Sequence, residues 1–144
     1  MAVRKLLESP YATITLDSDT GIACLRRTAQ RFPVPDGAGK GESQELARVL
    51  TELDAALASL DPKRIGILVD LRDAPAPSSD EYERSMEPLR HGVRRFKITA
   101  ALVKTVAGKL QVQRLARQDG ADLAVFTDES AARTHLVELL KKRR

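Results

Sequence analysis

Residues that carry catalytic or stacking chemistry are scarce in this 144-residue chain, which has no tryptophan, one cysteine, two histidines, two tyrosines and three phenylalanines. The single cysteine excludes an internal disulfide and a cysteine-rich zinc site. His91 and His135 lack the spacing of a metal-ligand pair, and so few aromatic side chains argue against the stacking platforms of nucleic-acid-binding modules. We therefore expect no cofactor, no bound metal and no nucleic-acid partner.

Long apolar runs are also missing, because no stretch approaches the ~20 residues that a membrane span requires, and the first residues do not resemble a secretory signal. We expect one cytoplasmic domain over residues 1–144 with no membrane span. The net charge of +4 is unevenly distributed: residues 1–89 carry 11 basic and 15 acidic side chains, whereas residues 90–144 carry 13 and 5. The local charge of each surface, rather than the net charge, would therefore indicate where an acidic partner binds.

Hydrophobic periodicity predicts an α/β domain. Two alternating strands joined by a turn indicate an antiparallel hairpin, and strands and helices then alternate in a pattern typical of a mainly parallel sheet flanked by helices, in the order β-β-α-β-α-β-α-β-α. A long proline- and glycine-rich loop is expected at 29–41. The predicted elements are strands Tyr11–Leu16, Ile22–Arg27, Ile65–Val69, Lys97–Val103 and Ala121–Phe126, and helices Glu42–Leu60, one from Ser78 with a break near Glu87, Val106–Gln118, and a last one capped by Thr127.

Charged side chains follow two of the predicted parallel strands. Asp70 and Asp73 follow one strand, and Lys104 follows the next, so they are expected near one edge of the sheet, where open parallel sheets bind ligands. Arg90, Arg94, Arg95 and Lys97 form the densest internal basic cluster. We take its three arginines, with Asp70, Asp73 and Lys104, as candidates for contact with a partner, and we name no catalytic residue.

Three segments resemble the STAS domain family, also called SpoIIAA-like, which has the fold of anti-sigma-factor antagonists. They are Ile65–Arg72, Phe96–Val103 and Val125–Ala132, and the resemblance covers nearly the whole chain. It implies a single-domain sandwich in which an N-terminal hairpin precedes βα repeats. It also implies a non-enzymatic signalling module that binds a protein partner, with a homodimer as a further expectation.

The resemblance also implies a regulatory serine at the start of the second helix. In phosphorylatable family members a kinase modifies a serine at this place, and Ser78 and Ser79 occupy it here. The chain differs from the family motif in having Pro77 before Ser78 and Asp80 in place of glycine. The alternative is structural, since Ser78 followed by Glu81 has the pattern of a capping box.

Two other functions remain open at this stage. The first is a small-molecule or lipid-binding module, which a sizeable apolar pocket near Tyr82 and Met86 would favour. The second is an enzyme, or a phosphoryl acceptor of the receiver type, that uses Asp70 and Lys104. It requires both side chains to converge within a deep cleft.

Overall fold

The computed structural model describes residues 3–33, 40–75, 84, 86–120 and 123–143. Within these residues, six strands and four helices alternate after an all-β start, which confirms the α/β class. The strands are β1 Val3–Glu8, β2 Ala12–Asp17, β3 Ile22–Arg27, β4 Gly66–Asp70, β5 Thr99–Leu102 and β6 Ala124–Phe126. The helices are α1 Lys40–Ala58, α2 Glu87–Arg94, α3 Val106–Gln118 and α4 Glu129–Lys142.

All six strands form one mixed sheet in which spatial order follows sequence order. The predicted hairpin is confirmed as β2 and β3, and the sheet is parallel from β3 to β6. The sequence prediction missed β1, which pairs antiparallel with β2. Its pattern is weak because it is a mostly exposed edge strand whose register shifts between Lys5 and Leu7, which interrupts the alternation that identifies a strand.

Apolar cores occupy both faces of the sheet. Right-handed crossovers between neighbouring parallel strands place successive helices on one face, and α1 buries Leu53 and Leu57 there with Ile67 of β4. The opposite face carries Leu68, which packs with Leu136 of α4. Strand β4 is therefore covered on both faces, which explains its nearly continuous apolar run.

Helix boundaries depend on short-range capping contacts. Helix α3 has the predicted limits, and Gly120 after it adopts a φ of +76°, which favours glycine. The predicted Thr127 cap of α4 is wrong: Asp128 is the N-cap, and its carboxylate accepts a hydrogen bond from the Ala131 amide at 3.0 Å. The helix starts one residue later than predicted, so the neighbouring carboxylate reaches the free amide.

The second helix begins close to the predicted break. Its described part starts at Glu87, with Pro88 in the first turn, where the missing amide proton breaks no helical hydrogen bond. The predicted capping box of Ser78 and Glu81 lies outside the described residues, as do positions 34–39 of the predicted loop at 29–41. Helix α1 begins at Lys40, two residues before its predicted start.

Helices α2 and α3 leave part of the sheet uncovered between them. Helix α2 packs on α1, and α3 packs on β6 at the edge of the sheet. The surface of β4 and β5 between these two helices therefore becomes the floor of a space. Among the described residues, no helix has both the length and the apolar character needed to cross a membrane.

Candidate functional site

A cavity of about 800 Å³ occupies the space between α2, α3 and the sheet. Val69, Ala101 and Val103 belong to its floor, and Met86 contributes from the start of α2. This volume is within the ~300–1,000 Å³ of typical small-molecule sites, whereas most voids in protein interiors are no larger than a water molecule. The cavity is therefore large enough to hold an organic ligand.

The inner face of α3 forms one long wall of the cavity. Ala107, Gln111, Val112, Leu115 and Ala116 line it, at spacings of three to four residues that place them on one side of a helix. Val112, Leu115 and Ala116 face inward, where they line the cavity together with the residues of the floor. From Ala107 to Asp119 the wall runs ~18 Å along the helix axis, so the cavity is elongated.

Cations outnumber anions around this largely apolar space. Among the described residues that line the cavity, one is acidic, Asp119, and six are basic. The six are Arg27, Arg72, Arg90, Arg94, Lys97 and Lys104. Three of them, Arg90, Arg94 and Lys104, were candidates on sequence grounds, and the structure brings them to one cavity from two separate elements.

The two helical walls are joined by ion pairs at the end of the cavity near the start of β5. Arg90 Nε of α2 donates to Asp119 Oδ2 at the end of α3 over 2.8 Å, and Arg94 Nη1 lies 3.0 Å from the same oxygen. Arg94 Nη2 also donates to Glu87 Oε1 at 2.9 Å. These contacts hold α2 and α3 at a fixed separation, which defines the width of the cavity.

Arg27 brings a positive charge to the other end, where the parallel strands terminate. It is 7% exposed, and its guanidinium carbon lies 4.0 Å from the ring centroid of Phe32, within the range of a cation–π contact. Its Nε donates to the Tyr11 carbonyl oxygen at 3.3 Å. Phe32 stacks on Tyr11, whose hydroxyl donates to Glu45 Oε1 of α1 at 2.9 Å, so Arg27 is anchored by a connected set of contacts.

Asp70 serves a different part of the molecule. It is 2% exposed and accepts hydrogen bonds from Arg26 Nε at 3.0 Å and from Arg72 Nη2 at 2.9 Å. Burial alone would raise the pKa of Asp70, but the hydrogen bonds and charge of Arg72, with the charge of Arg26, outweigh it and lower the pKa. Asp70 is thus an ionised structural group.

Arg72 extends this cluster to the last helix. Its Nη2 donates to Glu129 Oε1 at 2.7 Å, and Glu129 Oε2 accepts from Arg133 at 2.9 Å. The hydrogen bond from Arg133 is the main cause of a lowered pKa at Glu129, with Arg72 adding to it against the effect of burial. The chain of charges ties the ends of β3 and β4 to the first turn of α4.

The enzyme alternative required Asp70 and Lys104 to meet in one cleft, and the structure does not bring them together there. Lys104 lines the cavity, whereas Asp70 does not and is held by Arg26 and Arg72. The reason is the alternation of a strand: Asp70 follows the parity of Leu68, which packs with α4 on the opposite face.

The remaining candidates are dispersed. Asp73 and Arg95 are exposed and do not line the cavity. Ser78, Ser79 and Tyr82 lie outside the described residues, so the phosphorylation site stays a prediction.

The cysteine and the two histidines lie in environments that do not activate them for catalysis. Cys24 is buried, and burial raises the pKa of its thiol. His91 is exposed, and His135 packs on Phe126 with ring centroids 5.2 Å apart. Over the described residues, no three histidine, cysteine, aspartate or glutamate side chains cluster in a way that would hold a metal ion.

Sequence reasoning missed Arg27 and Asp119 as members of this site. Asp119 directly follows the predicted helix Val106–Gln118, and its partners Arg90 and Arg94 lie 29 and 25 positions earlier in the chain. No pattern of neighbouring residues predicts an ion pair between residues so far apart in the sequence. Lys97 belongs to the same basic cluster as Arg94, so the cluster could have identified it as a candidate too.

Comparisons with protein-family models, with curated proteins and with solved structures each found no match.

Proposed function

We propose that this chain is a binding domain that takes an elongated, largely apolar small molecule into the cavity between α2, α3 and the sheet. The observation that carries the proposal is the cavity itself, with its volume of about 800 Å³ and its apolar floor and walls. An apolar pocket near Met86 was also the feature that would favour a small-molecule or lipid-binding module on sequence grounds.

The driving force would be the removal of apolar surface from water. Each Å² of apolar surface that a ligand buries contributes ~25 cal/mol, offset by the loss of translational and internal freedom. The side chains of Val69, Ala101, Val112 and Leu115 present methyl groups on opposing sides of the cavity and offer no reactive group. Retention of an unchanged ligand suits this lining, so we propose a non-enzymatic role.

The test is a titration with a neutral lipophilic dye, N-phenylnaphthylamine, whose fluorescence rises in apolar surroundings. We expect saturable binding with one site per chain. Ala101→Phe, which places a large side chain on the cavity floor, should weaken binding about tenfold or more. The matched control is Ala47→Leu, an enlargement at an exposed position of α1, which should bind as the unchanged protein does.

Circular dichroism checks that both variants remain folded, which matters most for the buried Ala101. If the dye does not bind, or if Ala101→Phe and Ala47→Leu bind it equally well, the cavity is not the binding site and the proposal fails. Displacement of the dye by hexadecanol would extend the result to an aliphatic chain.

A protein-interaction module of the STAS type is the second candidate. It is supported by the outer face of α3, where Val106 is 69% exposed and Leu110, one turn later, is 59% exposed. In this reading the chain is a cytoplasmic signalling domain whose partner, or second copy, contacts that face. Affinity purification should then recover a partner that Leu110→Gln loses, and light scattering distinguishes a homodimer.

Phosphorylation of Ser78 or Ser79 would belong to the second candidate. Transfer of a phosphoryl group from ATP by a kinase to one of them would add about two negative charges and three acceptor oxygens where the sequence predicts a helix start. Mass spectrometry of the protein isolated from its own cells tests it, with Ser78→Ala and Ser79→Ala to assign the position. An unmodified mass would remove this form of regulation.

A further inference from the structure

We propose that the ligand carries an acidic headgroup, a carboxylate or a phosphate, and that Lys104 binds it at the end of the cavity where the parallel strands terminate. The inference rests on the proposed function, since it assigns the ligand class and its orientation in the same cavity. It follows from how the charged side chains are divided between the two ends.

The register of the sheet establishes which residues share an end. Arg26 pairs with Asp70, and Asp70 pairs with Leu102, so the residues that follow these strands lie at one level. Arg27 and Lys104 are therefore at the same end of the cavity, ~10 Å apart across two strand spacings. An anionic group between them would face a positive charge on each side.

No described acidic residue lines the cavity at this end. Asp119 is at the opposite end of α3, and Asp73, which follows the neighbouring strand β4, is exposed and outside the lining. Helix α3 begins beside Lys104 with no acidic residue in its first turn, so its positive end adds to the field. An anion is therefore favoured here.

The opposite end is less suitable for an anion. Arg90 and Arg94 are both committed to Asp119, and the Asp119 carboxylate itself lines the cavity. Lys97 is exposed at that end, where an anionic headgroup would also meet the negative charge of Asp119. The apolar tail of the ligand would lie between the two ends, along the wall formed by Val112 and Leu115.

Lys104 is free to act in this way. It is exposed and forms no ion pair with any residue that the structure describes, so its ammonium group loses no existing partner when an anion binds. Its four-carbon stem allows the charge to reach the cavity opening. Arg27, by contrast, is buried and fixed by its contacts, so it supplies a stationary charge.

The experiment compares hexadecanoate, hexadecyl phosphate and hexadecanol in displacing N-phenylnaphthylamine, because the three share a tail and differ in the headgroup. We expect at least one acid to bind about threefold to tenfold more tightly than the alcohol, the range expected of a charge contact at a partly exposed site. Raising the salt concentration should reduce this difference. Whichever acid is preferred identifies the headgroup.

The residue is tested with Lys104→Met, which keeps the length of the side chain and removes its charge. It should abolish the preference for the acid and leave the affinity for hexadecanol unchanged. Lys97→Met is the matched control at the other end, and it should keep the preference. Both substitutions are at exposed positions, so folding is preserved.

The outcomes separate this inference from the function on which it rests. If hexadecanol and both acids bind equally, the acidic headgroup is refuted while the apolar site stands. If Lys97→Met removes the preference and Lys104→Met does not, the proposed orientation is wrong. If the dye binds but none of the three ligands displaces it, the proposed ligand class is refuted. If the dye itself does not bind, the proposed function fails.

Discussion

Loss of the Asp119 carboxylate should loosen the contact between α2 and α3, and the substitution Asp119→Asn tests this with little change of shape. Asp119 has a side chain 18% exposed, and its two partners Arg90 and Arg94 are each 29% exposed. Exposed ion pairs contribute ~0.2–1 kcal/mol, whereas removing one partner of a fully buried pair costs ~3–5 kcal/mol. These three side chains lie between the limits, so we assign ~1.5–2.5 kcal/mol to the loss.

A smaller effect has the opposite sign. Asp119 is the C-cap of α3, where a negative charge is unfavourable beside the negative end of the helix, and its removal gains ~0.3–0.5 kcal/mol. The expected net loss is ~1–2 kcal/mol in the free energy of unfolding. Urea denaturation followed by circular dichroism measures it, with an unchanged slope against urea concentration indicating that the unfolded state is unaffected.

The matched control is Glu52→Gln, which breaks an ion pair between Arg48 and Glu52 whose side chains are 62% and 44% exposed. We expect a loss below ~0.5 kcal/mol, because both groups remain hydrated. Equal free energies of unfolding for Asp119→Asn and Glu52→Gln would contradict this prediction, since burial would then have no influence on the strength of the contact. So would a stability equal to that of the unchanged protein.

Two further predictions concern the buried carboxylate of Asp70 and the N-terminal cap of α4. The lowered pKa of Asp70 means that its contribution to stability is complete well above the ordinary value of 3.8 and is lost as the pH falls through the folded-state pKa. Measuring the free energy of unfolding as the pH is lowered should show this loss. Asp70→Asn should make the loss smaller and should destabilise the protein by ~2–3 kcal/mol at neutral pH. If the variant has the same acid profile as the unchanged protein, Asp70 is not the group responsible. At α4, Asp128→Ala should cost ~1 kcal/mol in urea denaturation, whereas Thr127→Ala should cost only a few tenths, and the reverse order would restore Thr127 as the cap.

The regular elements could be predicted because their signals are local. Helix α3 has its predicted limits since Thr105 and Gly120 end it with short-range chemistry, a side-chain cap at one end and a left-handed glycine at the other. Strand β1 could not be read in this way, because an exposed edge strand needs no alternation. The cap of α4 was misplaced by one residue, since Thr127 and Asp128 are both good capping residues.

The site was predictable only where it coincides with the end of a strand. Lys104 was identified because it follows a buried parallel strand, and the structure places it in the lining of the cavity. The cavity itself depends on α2 packing on α1 and on α3 packing at β6, and no local pattern encodes these positions. Asp70 shows the same limit, because its location at a strand end suggested a functional group and its partners, distant in sequence, make it structural.

The two sides of helix α3 face different surroundings. Its inner side is a wall of the cavity, and its outer side displays Val106 and Leu110 to the solvent. A helix of 13 residues moves as a rigid rod, so any shift that widens or narrows the interior also displaces the exposed pair by a similar amount. We therefore expect the content of the cavity to affect the outline of the molecular surface through this one helix.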